Sequence, residues 1–171
     1  MLFRSLLKRG DTVRLPLSVN EVITEVVHLT NADLIGRSVT VTRDLTPDLP
    51  PITGDRVQLQ QLVLNLILNA ADAMSANPPG ARRLHLRTEL HQGKVRASIR
   101  DEGSGLAGNV EKLFEPFYTT KAHGLGMGLA ICRSIINAHH GKLWAEPHAE
   151  GGAIFIFELP AAGVAVVTSN Q

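Results

Sequence analysis

Residues 55–74 read DRVQLQQLVLNLILNAADAM, and the rest of the chain can be placed around them. Val57, Leu59, Leu62, Val63, Leu66, Ile67, Ala70 and Ala73 recur at steps that put apolar side chains around most of a helix, so this helix belongs inside a protein. Asp55 is placed to cap its first turn, and Asn77-Pro78-Pro79-Gly80 ends it. Gln58, Gln61, Asn65, Asn69 and Asp72 nevertheless form one polar stripe along it. On a largely buried helix such a stripe faces solvent, a polar network or a ligand, because buried polar groups need partners. A solvated face is the plain alternative, but surface faces usually carry Lys and Glu, whereas this one has amides and a single carboxylate. Amide oxygens suit a Mg²⁺ whose charge is already partly met by phosphates.

On either side the period changes. SVNEVITEVVHLTNADL (18–34) predicts a first helix, with Ser18 as N-cap and Glu21 three residues on. SVTVTRDL (38–45) is β-branched and alternating, a strand closed by the loop TPDLPPITG. RLHLRTEL (83–90) and KVRASIRD (94–101) alternate around the turn His91-Gln92-Gly93, which predicts a hairpin. Leu84, Leu86, Val95, Ala97 and Ile99 then face one side and Arg87, Lys94, Arg96 and Arg100 the other. LAICRSIINAHH (129–140) predicts a further helix with Gly141 at its C-terminal cap, and KLWAE (142–146) and AIFIFELP (153–160) two more strands. The fold class is therefore α/β (α+β): a two-layer sandwich in which a mixed, mostly antiparallel sheet of about five strands carries three main helices on one face. Residues 1–13 read as the end of an upstream helix and a linker, 14–160 as one domain, and 161–171 as a frayed tail.

Composition narrows the function. The 171 residues carry 17 Lys and Arg against 16 Asp and Glu, a net charge of +1, so the clustered basic surface of a nucleic-acid binder is not expected. With 44% hydrophobic residues there is material for one core. No apolar run reaches the ~18 residues that span a bilayer, and MLFRSLLKRG lacks the pattern of a secretory signal, so no membrane contact is expected. The lone Cys132 leaves neither an internal disulfide nor a cysteine zinc site, and a cytoplasmic location follows as the expectation.

Two glycine-bearing stretches hold further candidates. DEGSGL (101–106) follows directly on a strand. It is either a simple turn or a place where Gly103 and Gly105 let the backbone approach a flat ligand while Asp101 accepts from an exocyclic amine. Adenine offers that amine, and guanine presents a carbonyl instead, so Asp101 would favour ATP over GTP. GLGMGLAI (124–131) places Gly124, Gly126 and Gly128 before a helix, giving either a hinge or an anion site on open helical amides. It lacks the Lys-Ser/Thr ending of a Walker loop and the strand that precedes a dinucleotide fingerprint. Between the stretches lies LFEPFYTTKAH (113–123), in which Phe114 reads as a core plug and Tyr118 to His123 as a nucleotide lid whose Lys121 could reach a γ-phosphate.

In this order, Asn65-X₃-Asn69, Asp101-X-Gly-X-Gly105, Phe114-Glu-Pro-Phe117 with Thr-Thr-Lys121, and Gly124-X-Gly-X-Gly128-Leu resemble the ATP-binding catalytic domain of bacterial two-component sensor histidine kinases. The resemblance runs from about Arg14 to Pro160. It implies the Bergerat ATP-binding fold, with ATP and Mg²⁺ as the ligands and Asn69 as the protein ligand of the metal. It further implies Asp101 on the adenine amine, a lid over 106–125, and the amides of Gly124, Leu125, Gly126, Met127, Gly128 and Leu129 on the phosphates. Asn65, Asp72, Gly103, Gly105, Leu106, Phe117 and Lys121 complete the implied nucleotide site, with Lys121 at the γ-phosphate.

The chain departs from the family in two places. Ala153 stands where relatives often have Thr, removing one hydroxyl near the nucleotide. None of the seven His, at 28, 85, 91, 123, 139, 140 and 148, begins the phosphoacceptor motif His-Glu-X-X-X-Pro. The resemblance therefore implies a catalytic fragment, monomeric alone, acting on a histidine of a dimerisation domain and, through it, on a response regulator. For His139-His140 a metal site lacks a third ligand, and C-terminal capping is expected. An ATPase of the gyrase, mismatch-repair and chaperone group would carry a Glu base at position 65, where this chain has an amide. A serine kinase of anti-sigma type, or an interaction module with an inactive pocket, are the other readings.

Overall fold

The computed structural model describes residues 13–119, 121 and 126–163. The Ser18 hydroxyl accepts from the Glu21 amide at 3.3 Å and opens α1, Val19–Gly36. Asp55 does the same for α2, Arg56–Ala73, accepting from the Gln58 amide at 3.0 Å. Gly128–Ala138 forms α3. The strands are β1 (Leu15–Leu17), β2 (Thr40–Leu45), β3 (Ile52–Gly54), β4 (Arg83–His91), β5 (Lys94–Asp101), β6 (Lys142–Pro147) and β7 (Ala153–Pro160). Five of them form one sheet in the order β2-β4-β5-β7-β6. Only β2 and β4 run parallel; the other neighbours are antiparallel. A parallel pair needs a crossover, and α2 lies in the chain between β2 and β4, which is why this helix is laid against the sheet.

The alternation in β4 and β5 buries Leu84, Leu86, Val95, Ala97 and Ile99. Phe155, Phe157 and Leu159 of β7 join them in one core with Val22, Ile23 and Val26 of α1, Leu62, Leu66 and Ile67 of α2, and Ile136 of α3. The opposite face carries a lattice of arginines and carboxylates, in which Arg96 meets Glu158 at 2.6 Å and Arg87 meets Glu89 at 3.2 Å. A hollow of about 400 Å³ on that face includes Arg43, Arg87 and Arg100. Asp44, Glu89 and Glu102 approach the last two of these within 3.8 Å, so the hollow is largely neutralised by its own rim.

Some expectations need correcting. Val57 is 72% exposed, because it lies one turn before Gln61 on the polar side of α2. At the end of α3 the left-handed residue is His140 (φ 57), and Gly141 donates to the Ile136 carbonyl at 3.0 Å, the outer bond of a Schellman cap. Gly141 is small for another reason: a Cβ there would stand 2.3 Å from the Glu158 carbonyl oxygen. The three-residue strands β1 and β3 pair with each other outside the main sheet; β3 falls in the expected loop, and no element was expected at residues 15–17. Order also continues past Pro160. Ala161 bridges Ile52, and the Ala162 amide donates to the Pro51 carbonyl at 2.7 Å. The expected helix end at 1–12 and the tail at 164–171 lie outside the described residues.

Candidate functional site

The polar stripe of α2 becomes a wall. Asn65, Asn69 and Asp72 line a cavity of about 370 Å³ whose far side is formed by Tyr118, Thr119 and Lys121 and by Gly126 to Leu129. Asn65 is tied to the start of α3, its Nδ2 donating to the Gly128 carbonyl at 3.4 Å. Asn69 Oδ1 accepts from Lys121 Nζ at 3.5 Å, and Asp72 Oδ2 accepts from the same ammonium at 2.7 Å. Asp72 Oδ1 takes a second donor, Arg37 Nη1, at 2.7 Å. Burial works to raise the Asp72 carboxyl, but the hydrogen bonds from Lys121 and Arg37 reverse this and hold it below its ordinary value. Arg37 has no local sequence signal: it caps the end of α1, 35 residues away from Asp72.

Gly128 opens α3 with no side chain capping its first turn, and Gly128 and Leu129 line the cavity, so this uncapped turn suits an anion there. Gly126 has φ +68, and a Cβ there would stand 2.5 Å from the Phe117 carbonyl carbon. The Phe117 amide donates to the Gly126 carbonyl at 3.0 Å, clasping the two ends of the intervening segment. Phe117 itself is 77% exposed and outside the cavity. Phe114 is buried as expected, edge-on to Phe155 with the Arg133 guanidinium 3.9 Å from its ring centre. Gly124 and Leu125, with Thr120 and His123 of the expected lid, lie outside the described residues.

Asp101, Gly103, Gly105 and Leu106 do not line that cavity; they lie beyond the C-terminal end of α2. Asp101 ends β5 at 1% exposure. Its Oδ1 accepts from the Gly103 amide at 2.8 Å, while Oδ2 is buried with no partner among the described residues. Burial pushes the Asp101 carboxyl up, with the Gly103 and Ala153 backbone amides working against it. The loop after it is seated on α2: Ser104 donates to the Ala73 carbonyl at 3.1 Å, and a Cβ on Gly103 would stand 2.4 Å from that oxygen. Gly105 takes φ +78, and Leu106 packs on the edge of the core. Gly152, at φ +88, fits where a Cβ would meet the Asp101 carbonyl oxygen at 1.9 Å, and Ala153 beside it is buried.

The donor set fits a nucleotide with its metal. The unpartnered Asp101 oxygen needs a donor, the amides of Gly128 and Leu129 suit phosphate oxygens, and Asn69 Oδ1 already faces a cation. Two other groups are structural. His139 is 3% exposed; its Nε2 accepts from the Asp55 amide at 3.0 Å and its Nδ1 donates to the Ile135 carbonyl at 2.8 Å, a tautomer assigned from those partners. With both nitrogens engaged it caps α3 and fastens the start of α2. Cys132 is buried, and burial pushes its thiol up to about 12, so it carries no nucleophile.

A family described as histidine kinase-, DNA gyrase B-, and HSP90-like ATPase matches residues 54–163. The chain is 37% identical over 162 residues to the sensor histidine kinase TmoS of Ectopseudomonas mendocina, covering 93% of this chain and 17% of TmoS. It is 38% identical over 160 residues to the sensor protein FixL of Bradyrhizobium diazoefficiens, covering 93% of this chain and 32% of FixL. Among solved structures, the nucleotide-free catalytic domain of histidine kinase ThkA is 33% identical with a TM-score of 0.77, over 86% of this chain and 95% of that one. ShkA, solved at full length in complex with AMPPNP, is 27% identical with a TM-score of 0.74 over 86% of this chain and 31% of ShkA. The chain thus spans less than a third of the length of the two curated relatives named.

Proposed function

We propose that this chain, which belongs to the histidine kinase-, DNA gyrase B-, and HSP90-like ATPase family, holds Mg-ATP so that its γ-phosphate can pass to a histidine on another domain. The chain is a catalytic ATP-binding domain of the sensor histidine kinase type. The observation that carries the nucleotide reading is the Asp101 carboxylate: one oxygen accepts from the Gly103 amide, and the other is buried with no hydrogen-bond partner among the described residues. Asp101 accepts from the adenine amine, and Gly103 and Gly105 admit the ring, with Leu106 at its edge. The amides from Gly126 to Leu129, joined by those of Gly124 and Leu125, hold the phosphates. Asn69 is the protein ligand for Mg²⁺, which when bound neutralises phosphate charge, and Asn65, Asp72 and Lys121 complete the surroundings, while the exposed Phe117 stands outside them. Phosphoryl transfer of this kind rests on positioning and charge, so no nucleophile is required of this chain.

Asn65 supports transfer to a histidine over hydrolysis. It cannot take a proton from water, and its amide is engaged by the Gly128 carbonyl. The acceptor we infer is a histidine-bearing dimerisation domain, with a response regulator downstream; ThkA has been solved in complex with the response regulator protein TrrA. No helix among the described residues is long and apolar enough to cross a membrane. The test is calorimetric titration with a non-hydrolysable ATP analogue, with and without Mg²⁺, and then with the GTP analogue. Mg-dependent, adenine-selective binding is expected, and Asn69→Ala should abolish the Mg²⁺ dependence. Equal affinity for the two analogues would refute the role of Asp101.

A further inference from the structure

Arg37 lies outside the cavity, yet its guanidinium is bonded into the cavity wall. Its Nε meets Asp33 at 2.9 Å and its Nη1 meets Asp72 Oδ1 at 2.7 Å. The other oxygen of that carboxylate accepts from Lys121 Nζ at 2.7 Å, and the same ammonium reaches Asn69 Oδ1 at 3.5 Å. A line of alternating charge therefore runs from the end of α1, through Asp72, to the amide oxygen assigned above to Mg²⁺. Arg37 is firmly placed: its amide donates to the Asp33 carbonyl at 3.0 Å, and its carbonyl accepts from Arg82 Nη1 at 2.7 Å.

This arrangement sets two cations against one oxygen. A metal ligated by Asn69 Oδ1 would stand about 2.1 Å from it. The Lys121 ammonium, at 3.5 Å from the same atom, would then face a dication across a few ångströms. Bound to Asp72, moreover, Lys121 has its charge met within the protein. We propose that Arg37 is a positioning residue: it fixes the Asp72 carboxylate so that Lys121 is parked against Asn69, and metal arriving at Asn69 displaces the lysine toward the phosphates. The inference rests on the nucleotide reading of the site given above. Arg37 and Asp72 are each 39% exposed, so screening weakens the pure charge terms and the fixed geometry of Oδ2 decides how well Lys121 is held.

Two readouts test it, with Arg37→Gln as the variant and Arg37→Lys as the conservative rescue. The first is acylation of Lys121 by a small amine-reactive ester in nucleotide-free protein, followed by peptide mass spectrometry against Lys112 and Lys142 in the same sample. Lys121 should react more slowly than those two in the wild type, several-fold faster in Arg37→Gln, and near the wild-type rate in Arg37→Lys. Asp72→Asn, which removes the acceptor itself, should give the same release. The second is affinity for the ATP analogue at saturating Mg²⁺. Arg37→Gln should bind several-fold more tightly, because the parked population no longer competes. Unchanged Lys121 reactivity in Arg37→Gln and Asp72→Asn, or weaker analogue binding in Arg37→Gln, would overturn the proposal. Failure of the wild type to bind any analogue would instead refute the nucleotide reading, and Lys121 reactivity would still report on the parking.

Discussion

At the scale of single residues, Asp101 has two properties that respond to acid in opposite directions. Its carboxyl is raised above the ordinary aspartate value by burial, so the folded chain binds that proton more readily than the unfolded one. The stability it contributes therefore falls as pH rises from the ordinary value through the raised one, and recovers on acidification. Recognition of an amine needs the ionised form and runs the other way. Lowering pH through that interval should weaken ATP-analogue binding while the Asp101 contribution to stability grows, and Asp101→Asn should remove both trends and weaken adenine binding by about 1–3 kcal/mol. Melting curves and titrations at matched pH, read as wild type minus variant, check this. The subtraction matters because Asp72, held low by Lys121 and Arg37 against its burial, loses stability in acid. The placement of Asp101 at a strand end and of Asn69 on the polar side of α2 was legible in the sequence, because each sits in a short spaced pattern. Arg37 and the Asp55 partner of His139 were not: the first acts across 35 residues and the second across 84, with no local pattern to report either.

Among elements, the pairing of α2 with α3 holds the cavity wall together. At one end Asn65 reaches Gly128, and at the other His139 fastens the first amide of α2 to the last turn of α3. Gly54 is small to admit that imidazole, since a Cβ there would stand 2.9 Å from His139 Cδ2. His139→Ala should lose two hydrogen bonds and leave a cavity, costing about 2–4 kcal/mol in urea unfolding. A loss within about 0.5 kcal/mol would mean that the link is idle. The long elements were readable because eight or more residues of one period outweigh local accidents, as in α2 and the hairpin of β4 and β5. The strands β1 and β3 were hidden because Leu-Pro-Leu and Ile-Thr-Gly are too short to show a period, and their pairing joins residues far apart in the chain. Val57 misled for a related reason: apolar spacing alone does not say which side of a helix the sheet covers.

For the molecule as a whole, the proposed nucleotide site would join the end of β5, the length of α2 and the start of α3, so a ligand that bridges them should stabilise the entire domain. At a hundred times its dissociation constant, an ATP analogue with Mg²⁺ contributes about 2.7 kcal/mol. For a chain of this size that corresponds to a rise in Tm of roughly 5–10 °C. A scanning-fluorimetry experiment should find the rise with ATP analogue and Mg²⁺ and little with the GTP analogue; no shift with either would count against the bridging arrangement. The mixed sheet and its helical cover could be read from the chain, but the strand order could not, because order depends on which distant edges meet. One contact set has a further use. Around Asp101 the neighbours are Gly103, Gly152 and Ala153, residues with almost nothing left to trim. Enlarging the base pocket to admit a bulky, orthogonal nucleotide, the usual route to a chemically addressable kinase allele, has no side chain to shave at this end. Such a hole would have to be cut from the α2 side of the ring, at the expense of the core that holds the carboxylate in place.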